Sequence, residues 1–137
     1  MKNVLSQNLI SLAEICPFPL YVVGGRVRDF LGGLKAEKPD CDICAPVGTG
    51  DFISRAKSAG FKINAVYKHT GTVKIEKDGE EYEFSSFRSD EYVRGVHTPV
   101  KTFFTEDISL DARRRDFKCN AVYYDIYAGQ FCDPLGG

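Results

Sequence analysis

Leu20-Tyr21-Val22-Val23-Gly24-Gly25-Arg26-Val27-Arg28-Asp29-Phe30-Leu31, with Pro39-Asp40-Cys41-Asp42-Ile43 close behind it, is the stretch on which the reading of this chain turns. Four β-prone residues end abruptly at the two glycines, and Arg26 to Leu31 then carries a helical pattern stopped by Gly32-Gly33. A glycine pair lets backbone approach a ligand closely, and the start of the following helix offers unpaired N–H groups to an anion. Arg26 and Arg28 add positive charge, and arginine grips phosphate with a forked pair of donors. The spacing matches neither the longer Walker nor the dinucleotide-binding pattern. Taken alone, Gly24-Gly25 is equally an ordinary tight turn.

Asp40-Cys41-Asp42 reads as the start of a second strand running to Ala45. Residues two apart share one face of a strand, so both carboxylates project to one side while Cys41 and Ile43 turn to the core. Two carboxylates held together repel each other, and a cation is the usual reason to keep them there. Hard oxygen ligands, few in number, suit Mg²⁺ bound jointly with a substrate's phosphates. A solvated acidic strand end beside Lys35, Glu37 and Lys38 is the plain alternative. A phosphate-cradling turn followed by paired carboxylates is nevertheless what metal-assisted nucleotidyl transfer requires, one element for the triphosphate and one for the metals.

Outward from this stretch the pattern is a mixture of helices and strands. Val4, Leu5, Leu9, Leu12, Ala13 and Cys16 form a helical stripe over residues 3–16, broken at Pro17. A second helix spans Asp51 to Ala59, capped by Asp51 or the preceding turn and ended by Gly60. Phe61 to Tyr67, Thr72 to Lys77 and Glu80 to Arg88 read as strands, the last two joined by the hairpin signal Asp78-Gly79. Residues 89–105 lack periodicity and read as a loop long enough to have a functional reason. Ser109 to Val122 reads as a helix, and Tyr123 to Cys132 as a small hairpin turning at Ala128-Gly129. The fold class expected is α+β, a mixed β-sheet with helices packed on it, in one domain over 1–137.

Composition excludes several classes. Of 137 residues, 43% are hydrophobic and 27% charged, the balance of a globular protein rather than a disordered or fibrous one. No apolar run nears the roughly 20 residues needed to span a bilayer, so no membrane partner is expected. Eighteen basic against nineteen acidic residues leave a net charge of −1, so any nucleic-acid contact has to come from local clusters. Five scattered cysteines without an export signal fit a reducing cytoplasm and buried thiols better than disulfides. Cys41 and Cys44 form the only CxxC, without a second pair at zinc spacing. His69 and His97 have no partner at ligand spacing and read as surface or structural residues.

Two further groups carry possible chemistry. In Asp111-Ala112-Arg113-Arg114-Arg115-Asp116-Phe117-Lys118-Cys119-Asn120, helical spacing puts Asp116 and Asn120 on one face. A carboxylate and an amide there can read ribose hydroxyls while the arginines meet phosphate, although a solvated basic face explains the same pattern. In Glu81-Tyr82-Glu83-Phe84-Ser85, glutamates alternate with aromatics, so one of them can stand on an adjacent strand as a third carboxylate. An ordinary amphipathic strand accounts for it equally.

Together these stretches resemble the catalytic head of class II tRNA nucleotidyltransferases, the CCA-adding enzymes and the related bacterial poly(A) polymerases. The resemblance runs on through Gly71-Thr72-Val73, Glu83-Phe84-Ser85-Ser86-Phe87-Arg88-Ser89-Asp90, Arg114-Arg115-Asp116-Phe117 and Asp133-Pro134-Leu135-Gly136-Gly137, in family order from Leu20 onward. It implies the nucleotidyltransferase palm fold and two-metal, Mg²⁺-dependent transfer of CMP and AMP from CTP and ATP to a tRNA 3′ end. By that likeness Asp40 and Asp42 match the metal-binding carboxylates, with Glu83 as a third. Gly24, Gly25, Arg28, Arg114, Asp116 and Asn120 match nucleotide-binding positions, and 89–105 matches a flexible loop beside the site.

Lys118-Cys119 replaces the family's usual Thr-Ile or Thr-Met, and Pro46 stands near where a threonine often follows the second strand. The family's neck, body and tail, which select the base and hold tRNA, have no counterpart in this chain, so a head domain of a longer cytoplasmic enzyme is expected. Poly(A) polymerase and CC- or A-adding heads are alternatives. So is a nucleotide-binding module without turnover. Transfer to a small molecule such as an aminoglycoside is disfavoured by the Arg114-to-Asn120 motif.

Overall fold

The computed structural model describes residues 6–23, 41–91, 101–116, 122–132 and 134. Its first helix, α1 (Gln7–Ile15), begins where the Ser6 hydroxyl accepts from the Asn8 N–H at 3.1 Å, an N-cap that the apolar stripe alone did not reveal. Ser6 also donates to Glu80 at 2.7 Å, and the Asn8 amide donates to Asp78 at 3.1 Å. These bonds tie the helix start to a hairpin seventy residues away. The second helix, α2 (Thr49–Ser58), starts from Gly48 without a side-chain cap, so of the two caps the sequence allows it is the preceding turn and not Asp51; Asp51 sits in the first turn, where its charge complements the helix dipole. At the other end of α2 the Lys77 ammonium donates to the Ala59 carbonyl at 2.7 Å.

Seven strands form one sheet in the order β3-β4-β5-β2-β1-β8-β9. In chain order they are β1 (Tyr21–Val23), β2 (Cys41–Ala45), β3 (Lys62–Tyr67), β4 (Thr72–Lys77), β5 (Glu80–Ser86), β8 (Tyr123–Asp125) and β9 (Gln130–Cys132). The β2–β5 pair is parallel and every other pair is antiparallel, so the sheet is mixed, as its sequence pattern predicts. Asp78 (φ 53°) and Gly79 (φ 80°) both adopt the left-handed conformation that a tight β4–β5 hairpin requires. Part of the stretch assigned to a loop is strand: β6 (Arg88–Glu91) and β7 (Lys101–Phe104) pair antiparallel in a separate two-stranded sheet. Each segment has only four residues, too few for an alternating pattern to stand out from the irregular charge along it. The last helix, α3, spans Ile108–Asp116. The expected helix at 26–31 and the end of the one assigned up to Val122 lie outside the described residues.

The sheet buries both faces unequally. On one, Ile43 and Ala45 of β2, Val22 of β1, Tyr82 and Phe84 of β5, and Val73 and Ile75 of β4 pack under Leu9, Leu12 and Ala13 of α1 and Phe52 and Ala56 of α2. Phe52 stacks on Phe84 with ring centroids 3.7 Å apart and planes within 3°. On the opposite face a smaller cluster of Val23, Cys44, Phe87, Ala112 and Tyr123 covers only the β1–β8 side. The rest of that face, over β2, β5 and β4, carries Asp42, Glu83 and Lys74, all exposed. No helix among the described residues is long and apolar enough to cross a membrane.

Truncating the ring that joins α2 to the sheet empties the middle of the main core. Phe52→Ala is expected to lower unfolding free energy by about 3–5 kcal/mol, measured by urea denaturation; a change under about 1 kcal/mol would place the main core elsewhere.

Candidate active site

The period-two alternation of β2 decides the site. Ile43 and Ala45 are drawn into the main core, which forces Asp42 to the opposite face, where it is exposed. In the parallel pairing Asp42 lies level with Glu83 of β5, and in the antiparallel pairing Glu83 lies level with Lys74 of β4. On its other side Asp42 lies level with Val23, the last residue of β1, which is covalently joined to Gly24. Side chains level with each other on neighbouring strands stand about 4.8 Å apart and on the same face. Asp42, Glu83 and Lys74 thus form one rank across the sheet.

This rank forms the floor of a polar cleft of about 500 Å³, lined also by Glu81 and Asn64. Asn64 reaches it through a bulge: Ile63 pairs with Ile75 and Ala65 with Lys74, leaving Asn64 as the extra residue of β3. Neither Asn64 nor Lys74 was singled out by sequence reasoning. The Lys at the centre of Thr72-Val73-Lys74-Ile75 alternates with buried Val73 and Ile75, which is the signal that could have placed it on the Glu83 face. The bulge has no sequence signature. The described side chains lining the cleft include the carboxylates of Asp42, Glu81 and Glu83, hard oxygen groups of the type a divalent cation prefers, with the Asn64 amide and the Lys74 ammonium beside them.

Asp42 and Glu83, expected from the sequence on one surface, are brought side by side. Asp40, Gly24, Gly25, Arg28 and Asn120 lie outside the described residues. Arg114 and Asp116 fall in the C-terminal part of α3, and their side chains also lie outside. Among the described residues no three His, Cys, Asp or Glu side chains gather into a metal-holding group. His69 is exposed on the turn between β3 and β4. Cys44 is buried, and burial pushes the half-buried Cys16 thiol up to about 11, the nearby Arg55 guanidinium opposing part of the rise.

Asp111 is buried on α3, a role for it that the sequence did not suggest. Its carboxylate accepts from the Tyr123 hydroxyl at 2.6 Å and from the Arg88 backbone N–H at 3.0 Å. It thereby ties α3, β6 and β8 into one body, one helical turn before Arg114. Tyr123 lies level with Val23, in the same rank as Asp42. Tyr21, next to Phe87 and Tyr123 on this face, has its phenol pushed up first by burial and then by the Asp125 carboxylate.

Residues 20–137 match the family described as the poly A polymerase head domain. A mitochondrial CCA tRNA nucleotidyltransferase 1 of Danio rerio is 31% identical over 140 residues, covering 93% of this chain and 31% of its own length. A CCA-adding enzyme of Lactobacillus johnsonii is 33% identical over 139 residues, covering 100% of this chain and 33% of its own. Among solved structures, the Bacillus stearothermophilus CCA-adding enzyme in complex with CTP is similar with a TM-score of 0.72 at 28% identity, over 97% of this chain and 31% of its own. A CCA-adding enzyme in an apo form gives a TM-score of 0.77 at 24% identity, over 98% of this chain and 34% of its own, a likeness of fold. The chain spans about a third of the length of the curated relatives it matches.

Tyr123→Phe takes one hydrogen bond from the buried Asp111 carboxylate without changing the packing volume. The expected loss is about 1–3 kcal/mol in chemical denaturation, and an unchanged midpoint and slope would show that the bond contributes nothing net.

Proposed function

The chain belongs to the poly(A) polymerase head-domain family, and from that membership we propose that it is the catalytic head of a tRNA nucleotidyltransferase, moving CMP and AMP from CTP and ATP onto the 3′ end of tRNA. The observation that carries this reading is the adjacency of Asp42 and Glu83, level on parallel strands at the floor of a polar cleft. Two exposed carboxylates kept level on adjacent strands suit a cation-binding purpose.

Nucleotidyltransferases of this family are generally dependent on a divalent metal. We take the metal to be Mg²⁺, held by Asp42 together with Asp40, with Glu83 adding charge from the neighbouring strand. Bound there, the ion polarises the α-phosphate and lowers the pKa of the acceptor hydroxyl. The protein's own share is placement. Asp42 projects from a strand locked on its opposite face by Ile43 and Ala45, so its carboxylate needs little reorganisation as charge develops. Gly24, Gly25 and Arg28, which follow directly from the end of β1, hold the β- and γ-phosphates in this reading. In the same reading Arg114, Asp116 and Asn120 recognise the ribose and phosphate. The CTP bound to the Bacillus stearothermophilus relative supports a nucleoside triphosphate as the ligand.

Asp42→Asn in the full-length protein keeps the shape and removes the charge. Incorporation of CMP and AMP into tRNA lacking its terminal CCA is expected to fall at least about a hundredfold, with the melting temperature retained because the side chain is exposed. Incorporation near the unsubstituted rate would remove that carboxylate from the reaction.

A further inference from the structure

The cleft extends well past the carboxylates, away from β1. Asp42 is on β2, and the two neighbours of β2 in the sheet are β1 on one side and β5 on the other. β1 runs into Gly24-Gly25, to which the reading above assigns the triphosphate. In an in-line displacement the attacking oxygen approaches opposite the leaving one. With the leaving pyrophosphate over the β1 side, the attacking hydroxyl has to enter over β5, β4 and β3. That is where the remaining cleft residues lie.

Two side chains there, and one ring just outside the cleft, have the chemistry to hold one nucleotide of a single strand. Lys74 lies next in rank beyond Glu83 and is the single cation among the described cleft-lining residues, suited to a phosphodiester. Asn64 is turned into the cleft by the β3 bulge and carries both a donor and an acceptor for ribose hydroxyls. Tyr67, at the far end of β3, is 50% exposed and has the Lys74 ammonium 5.9 Å from its ring centroid. An exposed ring flanked by an ammonium is a stacking platform for a base whose phosphate the ammonium meets.

We propose that Lys74, Asn64 and Tyr67 form the acceptor subsite, holding the 3′-terminal nucleotide of the RNA that is to be extended; this rests on the functional reading above. The subsite is set apart from the triphosphate site by the Asp42–Glu83 pair, so the two substrates meet at the carboxylates from opposite directions across one face of the sheet.

The test is CMP incorporation by the full-length protein into tRNA lacking its terminal CCA, with tRNA and CTP varied separately. Lys74→Ala and Tyr67→Ala are each expected to raise the KM for tRNA about tenfold while leaving the KM for CTP within about twofold. Lys74→Arg and Tyr67→Phe are expected to restore most of the loss, since they keep the charge and the ring. Both positions of change are on the surface, and unaltered thermal melting checks that the fold is kept. An unmoved KM for tRNA in both alanine variants overturns the subsite, as does a rise in the KM for CTP equal to or larger than that for tRNA. Absence of incorporation by the unsubstituted protein overturns the functional reading itself and the subsite with it, whereas incorporation with an unmoved KM for tRNA overturns the subsite alone.

Discussion

Because β2 and β5 run parallel and in step, Asp42 and Glu83 share one level and one face while Ile43 and Phe84, one residue on, share the other. A slip of one residue in either strand would drive a carboxylate under α1 and α2 and turn an isoleucine or a phenylalanine out to water. Burying an unpaired carboxylate costs several kcal/mol, and exposing a large apolar side chain forfeits about 1.5–3 kcal/mol more. The main core therefore holds the register of the acidic pair. Hydrophobic burial on one face fixes the electrostatics of the other, and the site inherits the rigidity of the best-packed part of the molecule.

The second face is divided, and the division makes the cleft. Val23, Cys44, Phe87, Ala112 and Tyr123 close the β1–β8 side, with Ala112 supplied by α3, which also contacts β6. Phe87 sits at the turning point between β5 and β6, its N–H bonded to Ala45 and its carbonyl accepting from Thr105. The Arg88 guanidinium donates to the Thr70 carbonyl at 3.1 Å, and Gly71, at φ 66°, lets the Phe104 ring come so close that a Cβ would stand 2.5 Å from it. These contacts carry the chain off the main sheet just past Ser86. Had β5 continued straight, its next residues would have extended over the sheet end instead of forming the second small sheet.

Much of this was legible in the sequence because β2, β4 and β5 alternate cleanly. Cys41 to Ala45 and Thr72 to Lys77 are strands over the residues their patterns indicate, and the left-handed pair at Asp78-Gly79 turns where its residue types require. The adjacency of Asp42 and Glu83 was legible only as a possibility, since nothing in a sequence states which strands pair or in what register. The β6 and β7 strands were hidden because each has four residues, too short for alternation to rise above composition. Asn64 was hidden for a different reason. A bulge reflects the mismatch between two paired strands, so it belongs to the pair and not to either segment. Asp111 escaped notice because an acidic residue in the first turn of a helix already has an explanation in the helix dipole, which masks its second use as a buried acceptor.

The near-neutral net charge and the acidic floor of the cleft are consistent with each other once the order of events is considered. A net charge of −1 gives RNA no long-range attraction to this chain, and three carboxylates in the cleft oppose a phosphodiester at short range. Lys74 alone offsets one of them. A phosphate-bearing strand is therefore held in the cleft only when further positive charge is present there, as a divalent cation on the carboxylates supplies. The acidity then acts as a condition on binding. In the function proposed above, the cleft without a cation would repel both phosphate-bearing substrates, and with one the same residues would draw them toward a common point. In that proposal, affinity for the nucleic acid as a whole would come from outside this chain, which spans about a third of its curated relatives' length.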